Sequence, residues 1–334
     1  MQRLIITAPR QAEFEAVTLP LCPPDGILVR ARVTAISTGT ELRVYRLIPV
    51  DPEGRFLHAN IPMSVPTENG YSMVGDVVAV GAAVTNLAVG DRVFVPAPHR
   101  TVAAVPARLA IKLPDDLPDE QAVFLSILEV SHLSLRKGSP APGETLAVIG
   151  QGIIGLAALA YGVAYGFRTI AIDVDERRLE IARQMGADLV LNLAVPDFHA
   201  QINAFCDGHG VDLVIEAASV WPAIQTSMEI AAQRGRVVVV ARHTDQPTFS
   251  PVGDPFLQKE IALLVSYGHP PDGQRWDRRR SFNLTIELLR KGRLTIAPLI
   301  THQFAWHELP QVYQRLDQGE RDLVGIVLDW RDQS

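Results

Sequence analysis

The stretch TLAVIGQGIIG at residues 145–155 runs from a strand pattern directly into a glycine-rich turn. Mostly apolar residues precede Gly150, and the apolar spacing after Gly155 is that of a helix. In this G-x-G-x-x-G pattern the first glycine permits a tight turn, Gly152 lets backbone N–H groups approach a pyrophosphate, and Gly155 lets helix and strand pack closely. The stretch therefore predicts a strand, a phosphate-binding turn and a helix N-terminus.

Asp173 ends the next apolar run, 18 residues beyond the third glycine. A carboxylate at this point of a dinucleotide-binding unit accepts hydrogen bonds from the ribose 2′-hydroxyl and repels a 2′-phosphate. Arg177 and Arg178 follow in the opening turn of a predicted helix, where either could contact a phosphate. We expect NAD rather than NADP as the cofactor. The expected cofactor-binding residues are Gly150, Gln151, Gly152, Ile153, Ile154, Gly155, Asp173, Arg178, Ala217, Ala218 and Ser266.

The second half of the chain alternates strand and helix patterns. The strand patterns are TLAVIG, TIAIDV, DLVLNL, VDLVIEAA, RVVVVA and IALLVSYG, and one helix is predicted over residues 221–235. Such alternation predicts an α/β fold, a Rossmann-type doubly wound parallel sheet with helices on both faces.

The first part of the chain carries short apolar runs instead, at residues 28–35, 74–80 and 92–95, separated by turn-forming residues. This pattern predicts a β-rich lobe, to which the closing LVGIVLDW returns. The expected domains are residues 1–122, a β-rich catalytic domain; 123–270, the NAD-binding domain; and 271–334, the last Rossmann helix and the return to the catalytic domain. Residues 50–66 are predicted to form a long excursion.

Composition excludes several classes of protein. The chain has 334 residues, 47% hydrophobic and 20% charged, with a net charge of -6, which gives no electrostatic reason to bind nucleic acid or an anionic membrane. Cys22 and Cys206 are its only cysteines, too few for a disulfide framework or a four-cysteine zinc site. Apolar stretches are interrupted before about 18 residues, and no signal-peptide pattern opens the chain. We expect a cytoplasmic protein that acts on a small molecule.

The stretch PTENGYSMVGDVVAVG at residues 66–81 resembles the P-x-x-x-G-H-E-x-x-G-x-V-x-x-V-G signature of zinc alcohol and polyol dehydrogenases. The resemblance extends over LAVGDRVFV, the glycine turn, VDLVIEAAS and the closing ELLRKGRLTIAPLITHQFAWHELPQVYQRL. The chain is thereby identified as a member of the medium-chain dehydrogenase/reductase superfamily. The resemblance implies a GroES-like catalytic domain beside the Rossmann domain, and a homodimer or homotetramer formed around residues 260–268.

The positions that bind the catalytic zinc in this family carry other residues here. Thr38 replaces the cysteine, Tyr71 and Ser72 replace the histidine and glutamate, and the later ligand position falls near Leu125. The four-cysteine structural lobe is missing between residues 91 and 106. Hydroxyls and a phenol do not replace thiolate, imidazole and carboxylate as zinc ligands, so we expect no metal. A shifted site that uses Glu68, Glu129 or His132 is the alternative.

Without a metal, fixed hydrogen-bond donors must stabilise the oxygen of the reacting group. By position, the candidates are Thr38, Thr40 and Tyr71, and in the zinc enzymes the residue at Thr40 already passes a proton from the substrate. The alternative for Tyr71 is that its ring only fills the space of the metal. Glu41, at the position of the family's acidic residue, could orient Thr38 or the cofactor ribose, or act as a base.

These observations predict zinc-independent, NAD-linked hydride transfer between a secondary alcohol and its ketone. The stretch ISTGTE resembles the bacteriochlorophyllide dehydrogenases, whereas the C-terminal third is similar to polyol and inositol-type dehydrogenases. The substrate is therefore expected to be a polyol, a cyclitol or a hydroxyethyl tetrapyrrole. Two alternatives stay open: an enone or quinone reductase, and a non-catalytic dinucleotide-binding protein.

Overall fold

The computed structural model describes residues 1–48, 64–243, 250, 252–271 and 273–332. The chain divides into two compact units, each with its own core. Unit 1 comprises Met1–Ser126 and Ile300–Ser334, and unit 2 comprises Ile127–Leu299. In the described ranges, no helix has the length and apolar character that crossing a membrane requires.

The strands of unit 1 are β1 (Gln2–Ala8), β2 (Gln11–Ala16), β3 (Gly26–Ala35), β4 (Thr67–Glu68), β5 (Met73–Val80), β6 (Arg92–Val95), β7 (Val102–Pro106), β8 (Ile111–Lys112), β15 (Ile300–Ala305) and β16 (Gly325–Asp329). The strands of unit 2 are β9 (Thr145–Ile149), β10 (Arg168–Asp173), β11 (Leu189–Asn192), β12 (Val211–Glu216), β13 (Ala231–Val239) and β14 (Ala262–Val265). The helices are α1 (Thr38–Arg46), α2 (Asp119–Ala122), α3 (Leu125–Gly138), α4 (Ile153–Ala164), α5 (Glu176–Gln184), α6 (Phe198–Phe205), α7 (Trp221–Ile230), α8 (Arg278–Arg290) and α9 (Leu309–Asp317).

Unit 2 is built on a parallel sheet of the order β11-β10-β9-β12-β13-β14. All residues of β9 are buried, which explains its continuous apolar sequence, since a parallel strand covered by helices has no solvent face. The chain moves from β9 to β10 on one side and from the adjacent β12 to β13 on the other, so the strand order reverses between β9 and β12, which is the switch point where dinucleotides bind in this architecture. The predicted doubly wound parallel sheet is confirmed.

Unit 1 is β-rich, as predicted. Strand β3 lies at its centre and pairs with β5, β7 and β16, all antiparallel. Strand β16 lies within the predicted closing stretch LVGIVLDW, and Trp330 directly after the strand is fully buried. The Trp330 indole stacks on Trp306 with ring centroids 5.1 Å apart, so the C-terminal segment completes the core of unit 1.

The structure differs from the sequence expectations in local detail. Helix α1 begins at Thr38, within ISTGTE, and the sequence analysis did not predict it. The helix predicted over residues 221–235 ends at Ile230, and the chain enters β13 at once. A positive φ of 58° at Arg234 and the tight packing of Gly235 bend this strand, a tertiary effect that helical spacing does not reveal. Most of the predicted excursion at residues 50–66 lies outside the described residues.

Candidate functional site

The glycine turn between β9 and α4 has the close contacts that its sequence predicts. Gly150 has φ +91°, and a Cβ there would lie 2.8 Å from the backbone of Ala218. A Cβ on Gly155 would lie 1.8 Å from the carbonyl oxygen of Gly150, so no larger residue fits. These two glycines are required by the turn itself.

Gly152 differs from the other two glycines, because a Cβ at this position would meet no atom within 4 Å. It is the N-cap of α4, and it supplies no side chain to cap the first N–H groups of the helix. The space beside it is therefore open, next to the positive end of the helix dipole. A pyrophosphate fits this position, because an anion there can accept from the backbone amides that lack an intrahelical partner.

Asp173 connects the end of β10 to this turn. Its Oδ2 accepts from the Gln151 amide at 2.5 Å, and its Oδ1 accepts from the amides of Val174 and Asp175 at 2.7 and 3.0 Å. The carboxylate is 7% exposed. Since a carboxylate oxygen accepts two hydrogen bonds, Oδ2 can accept one more, as a ribose hydroxyl would provide.

Several buried polar atoms around the turn have no hydrogen-bond partner. They are Oε1 of Gln151, Nε of Arg178 and Oγ of Ser266. Ser266 follows β14, and Arg178 lies in α5, so both belong to elements that surround the carboxyl edge of the sheet. Buried polar groups are nearly always paired, and their grouping here fits a polar ligand at this edge. The residues of unit 2 thus fit a dinucleotide.

A buried glutamate that the sequence analysis missed holds the predicted Ala217–Ala218 segment. Glu216, the last residue of β12, accepts from the amides of Ala218 and Ser219 through Oε1. Its Oε2 lies 2.8 Å from Nε2 of His243. The acidic residue at the end of an otherwise apolar strand, VDLVIE, was the signal that could have revealed it.

In unit 1, Thr38 and Thr40 lie in the first turn of α1, and Ser37 is the N-cap. The phenol of Tyr71 donates a hydrogen bond to the Ser37 hydroxyl at 2.6 Å. The structure therefore joins Tyr71 to the residue that precedes Thr38. Thr38 and Thr40 are both half-buried.

Glu41 is fully buried, and both of its carboxylate oxygens are occupied. Oε1 accepts from the Ser37 amide at 2.7 Å, whereas Oε2 accepts from the Tyr313 hydroxyl at 2.6 Å and lies 2.9 Å from Nε2 of His99. A buried carboxylate is tolerated when such donors replace its hydration. Glu41 is thus bound within the fold, and it fixes the backbone that leads into Thr38.

The same network continues into the core of unit 1. The other ring nitrogen of His99, Nδ1, lies 2.8 Å from the Thr34 hydroxyl, which also accepts from the indole of Trp330 at 2.9 Å. Burial, reinforced by the charge of Glu41, raises the pKa of Tyr313 well above its usual value. The Tyr313 phenol therefore remains a hydrogen-bond donor at physiological pH. The sequence analysis did not predict His99 or Tyr313.

The remaining positions matched to zinc ligands have other contacts. The Ser72 hydroxyl donates to the backbone oxygen of Val123, and Leu125 is a fully buried alkyl side chain. Glu68, from the alternative zinc set, binds Arg100 at 2.7 Å. In the described part of the chain, no group of three or more His, Cys, Asp or Glu side chains could hold a metal ion.

His132, another member of the alternative set, packs in unit 2 against aromatic rings. Its ring centroid lies 5.1 Å from that of Tyr161 and 6.0 Å from that of Trp276. Burial, with a smaller contribution from the charge of Arg136, lowers the pKa of His132 to about 4. The imidazole is therefore neutral near pH 7.

Comparison with known proteins agrees with this division into two units. The protein-family model of the alcohol dehydrogenase GroES-like domain matches residues 23–115, and the family model of the zinc-binding dehydrogenase matches residues 154–277. Sorbitol dehydrogenase of Bacillus subtilis (strain 168) is 23% identical over 98% of this chain and 97% of its own. L-threonine 3-dehydrogenase of Pseudoalteromonas atlantica is 27% identical over 93% of this chain and 94% of its own. The crystal structure of 2R,3R-butanediol dehydrogenase from Bacillus subtilis has a TM-score of 0.83 at 22% identity, covering 98% of this chain and 99% of that one.

The chain therefore belongs to the medium-chain dehydrogenase/reductase family of alcohol dehydrogenases, with a GroES-like domain and a zinc-binding dehydrogenase domain. It is an NAD(P)-dependent alcohol or polyol dehydrogenase of this family.

The lowered pKa of His132 makes the stability of the folded protein decrease at acidic pH. The pKa of His132 in the folded protein is about 4, below the 6.5 of an exposed histidine. Between pH 4 and pH 6.5 the unfolded chain therefore binds a proton on His132 that the folded protein does not bind. The contribution of the neutral His132 ring to the free energy of unfolding is fully present above pH 6.5. It is lost as the pH falls towards 4, and the total loss is roughly 3 kcal/mol. Denaturant unfolding of unit 2 at pH 7.5 and pH 5 measures it. His132→Phe, which keeps a ring against Tyr161, should lose less stability over this interval, and an unchanged pH dependence in that variant would contradict the assignment.

Proposed function

We propose that this protein is a zinc-independent, NAD-linked oxidoreductase that transfers a hydride between a secondary alcohol or its ketone and the nicotinamide. The observation that carries the proposal is the chemistry of the positions matched to the family's zinc ligands. Thr38, Tyr71, Ser72 and Leu125 offer two aliphatic hydroxyls, a phenol and an alkyl group.

These residues do not fit a zinc ion. Zinc sites in proteins use thiolate, imidazole and carboxylate ligands. Here the Tyr71 phenol is bonded to Ser37, and the Ser72 hydroxyl is bonded to a backbone carbonyl. Glu41, three residues after Thr38, already accepts hydrogen bonds from protein donors on both oxygens. No step of the proposed reaction therefore uses a metal.

The hydroxyls of unit 1 are proposed to bind the substrate oxygen. Thr38 and Thr40 can each donate a hydrogen bond, and Tyr71 can donate to the substrate oxygen in place of its bond to Ser37. Donors fixed in advance stabilise the charge that develops on an oxygen during hydride transfer. Glu41 is proposed as a positioning residue, because its contact with the Ser37 amide holds the segment that carries Thr38. When bound, the nicotinamide accepts or supplies the hydride.

Asp173 supports NAD over NADP. Its carboxylate is buried, and its Oδ2 can accept one further hydrogen bond. A 2′-phosphate beside it would be repelled, whereas a ribose 2′-hydroxyl would donate to it. Arg178, whose buried Nε has no partner, is the cation proposed to contact the cofactor.

The names of the relatives support a polyol, an amino alcohol or a diol as substrate, beside the cyclitol and hydroxyethyl tetrapyrrole of the sequence expectation.

A homodimer is proposed on an independent observation. Strand β14 is at the edge of the six-stranded sheet, and Val265 and Tyr267 are 68% and 58% exposed there. A second copy that covers this edge would bury both side chains.

Asp173→Asn tests the cofactor assignment. The amide oxygen can still accept from the backbone, but the charge that repels a phosphate is gone. We expect the unmodified protein to bind NADH about tenfold or more tightly than NADPH, and the variant to narrow that ratio. Fluorescence titration with both nucleotides measures it. Asp197→Asn, at the N-cap of α6, is the control and should leave the ratio unchanged; equal affinities in the unmodified protein would refute NAD preference.

Tyr71→Phe and Thr40→Val test the proposed chemistry. Loss of one donor from a preorganised site costs about 10²–10³ in turnover, so both variants should lose activity on that order while NADH affinity stays almost unchanged. The assay follows NAD reduction with sorbitol, L-threonine and 2R,3R-butanediol. Tyr45→Phe is the matched control, because its phenol donates only to the backbone oxygen of Arg10 in unit 1.

If Tyr71→Phe and Thr40→Val both retain most of the activity, the hydroxyls only fill space and the proposed chemistry is wrong. If the unmodified protein instead reduces a conjugated enone or quinone and no alcohol, the reductase alternative replaces the proposal.

A further inference from the structure

Unit 2 contains a buried carboxylate that the reaction described so far does not use. Glu129 lies on α3 and is 1% exposed. Two residues further on, the Ser131 hydroxyl donates to the carbonyl oxygen of Ile154 at 2.8 Å, in the first turn of α4. This bond holds α3 beside the helix that begins at the glycine turn. Glu129 is therefore on the part of α3 that borders the expected cofactor site.

His269 approaches Glu129 from the other side of the same edge. Parallel strand β14 ends at Val265, and Ser266 follows, with its amide donating to Val239 at 2.9 Å. His269 comes three residues later, and its Nδ1 is in contact with Oε1 of Glu129. The carboxyl ends of parallel strands meet at one edge of a sheet, so this pair lies at the same edge as Gly150 and Ala217.

The Glu129 carboxylate can accept hydrogen bonds that its neighbours do not donate. Within the described ranges its Oε2 is buried without a hydrogen-bond partner, and so is the Nε of Arg278, which forms only a long ion pair with Oε2 at 4.0 Å. Glu216, the other buried glutamate at this edge, has partners on both oxygens. A buried polar group left unpaired in this way is unusual outside functional sites.

The His269 ring has the arrangement of an oriented base. A carboxylate on Nδ1 fixes the tautomer and orientation of an imidazole, and it stabilises the imidazolium that forms when the ring takes a proton. Within the described residues, the Nε2 of His269 makes no hydrogen bond, and its side chain is 31% exposed. The ring can therefore both receive a proton inside the site and release it to water.

We propose that His269, oriented by Glu129, is the proton acceptor in alcohol oxidation and the proton donor in ketone reduction. The inference rests on the proposed function, and it supplies the base that alcohol oxidation needs, since a threonine or tyrosine hydroxyl is too weakly basic to retain the proton. In oxidation, the alcohol O–H bond breaks and its proton passes to His269 Nε2. The carbon–hydrogen bond breaks with its electron pair, which leaves as hydride to NAD, and a carbon–oxygen double bond forms. His269 then releases the proton to water.

Chemical modification tests the placement without any substrate. Diethyl pyrocarbonate acylates accessible imidazoles, and peptide mass analysis gives the rate at each histidine with and without saturating NADH. We expect NADH to slow modification of His269 severalfold. His199 is the matched control, because its Nε2 lies 3.9 Å from Glu229 in another glutamate–histidine pair of unit 2. It lines a cavity of about 380 Å³ with His209 and Gly210, which precede β12 at the opposite edge of the sheet, so its rate should not change.

Kinetics of His269→Gln test the chemical role. Glutamine can still hydrogen-bond to Glu129 but takes up no proton, so turnover of the best alcohol among sorbitol, L-threonine and 2R,3R-butanediol should fall about 10²–10⁴-fold, with NADH affinity unchanged. Added imidazole should restore part of the turnover, which a purely structural defect would not allow. Glu129→Gln, the positioning variant, should lose less turnover than His269→Gln, and His199→Gln should retain full turnover.

The outcomes are distinguishable. If the unmodified protein binds NADH and oxidises an alcohol, but NADH fails to protect His269, or His269→Gln keeps its turnover, the dyad is overturned and the proposed function stands. If His269→Gln loses turnover and imidazole restores none of it, the role as proton acceptor is overturned. If the unmodified protein neither binds NADH nor oxidises an alcohol, the proposed function fails and this inference fails with it.

Discussion

Unit 1 depends on the neutralisation of one buried negative charge. Glu41 has no exposed surface, and a carboxylate in that position would be strongly unfavourable without compensating donors. The donors are the Ser37 amide, the Tyr313 hydroxyl and the His99 imidazole. They come from α1, α9 and the segment before β7, so this charge can be buried only when distant parts of the chain have assembled.

The proposed chemistry follows from that assembly. Because Glu41 holds the Ser37 amide, the N-cap of α1 is fixed, and the Ser37 hydroxyl is in place to accept from Tyr71. The segment proposed to bind the substrate is thus organised by hydrogen bonds among protein groups. In the proposed reaction, its hydroxyls stabilise the substrate oxygen, as a metal does in the zinc enzymes of the family.

The sequence revealed features whose cause is local. A strand, a turn and a helix N-terminus lie within residues 145–155, and Gly150 and Gly155 there have steric reasons that the residue type expresses directly. The parallel sheet and the β-rich lobe were also predicted, because alternation of apolar patterns reports burial along each strand. The expected site residues Thr38, Thr40, Tyr71 and Glu41 came from position within a family signature, and their roles remain predictions.

The sequence could not reveal contacts between distant positions. Glu41 meets His99 across 58 residues and Tyr313 across 272, and nothing in the local pattern of any of them indicates the other two. Glu129 was considered only as a member of an alternative metal set, because its partner His269 belongs to a segment without a readable motif. Helix α1 was missed since its stability comes from tertiary contacts, among them the Glu41 network, rather than from a clear apolar period.

The central claim is that hydride transfer here proceeds without zinc. The most direct measurement is the metal content of the purified protein by mass spectrometry, made on the same sample as NAD-linked alcohol turnover before and after treatment with a chelator. The account predicts well under one zinc per chain and a turnover that the chelator leaves unchanged. One tightly bound zinc per chain, with turnover that disappears on its removal and returns on its addition, would contradict it.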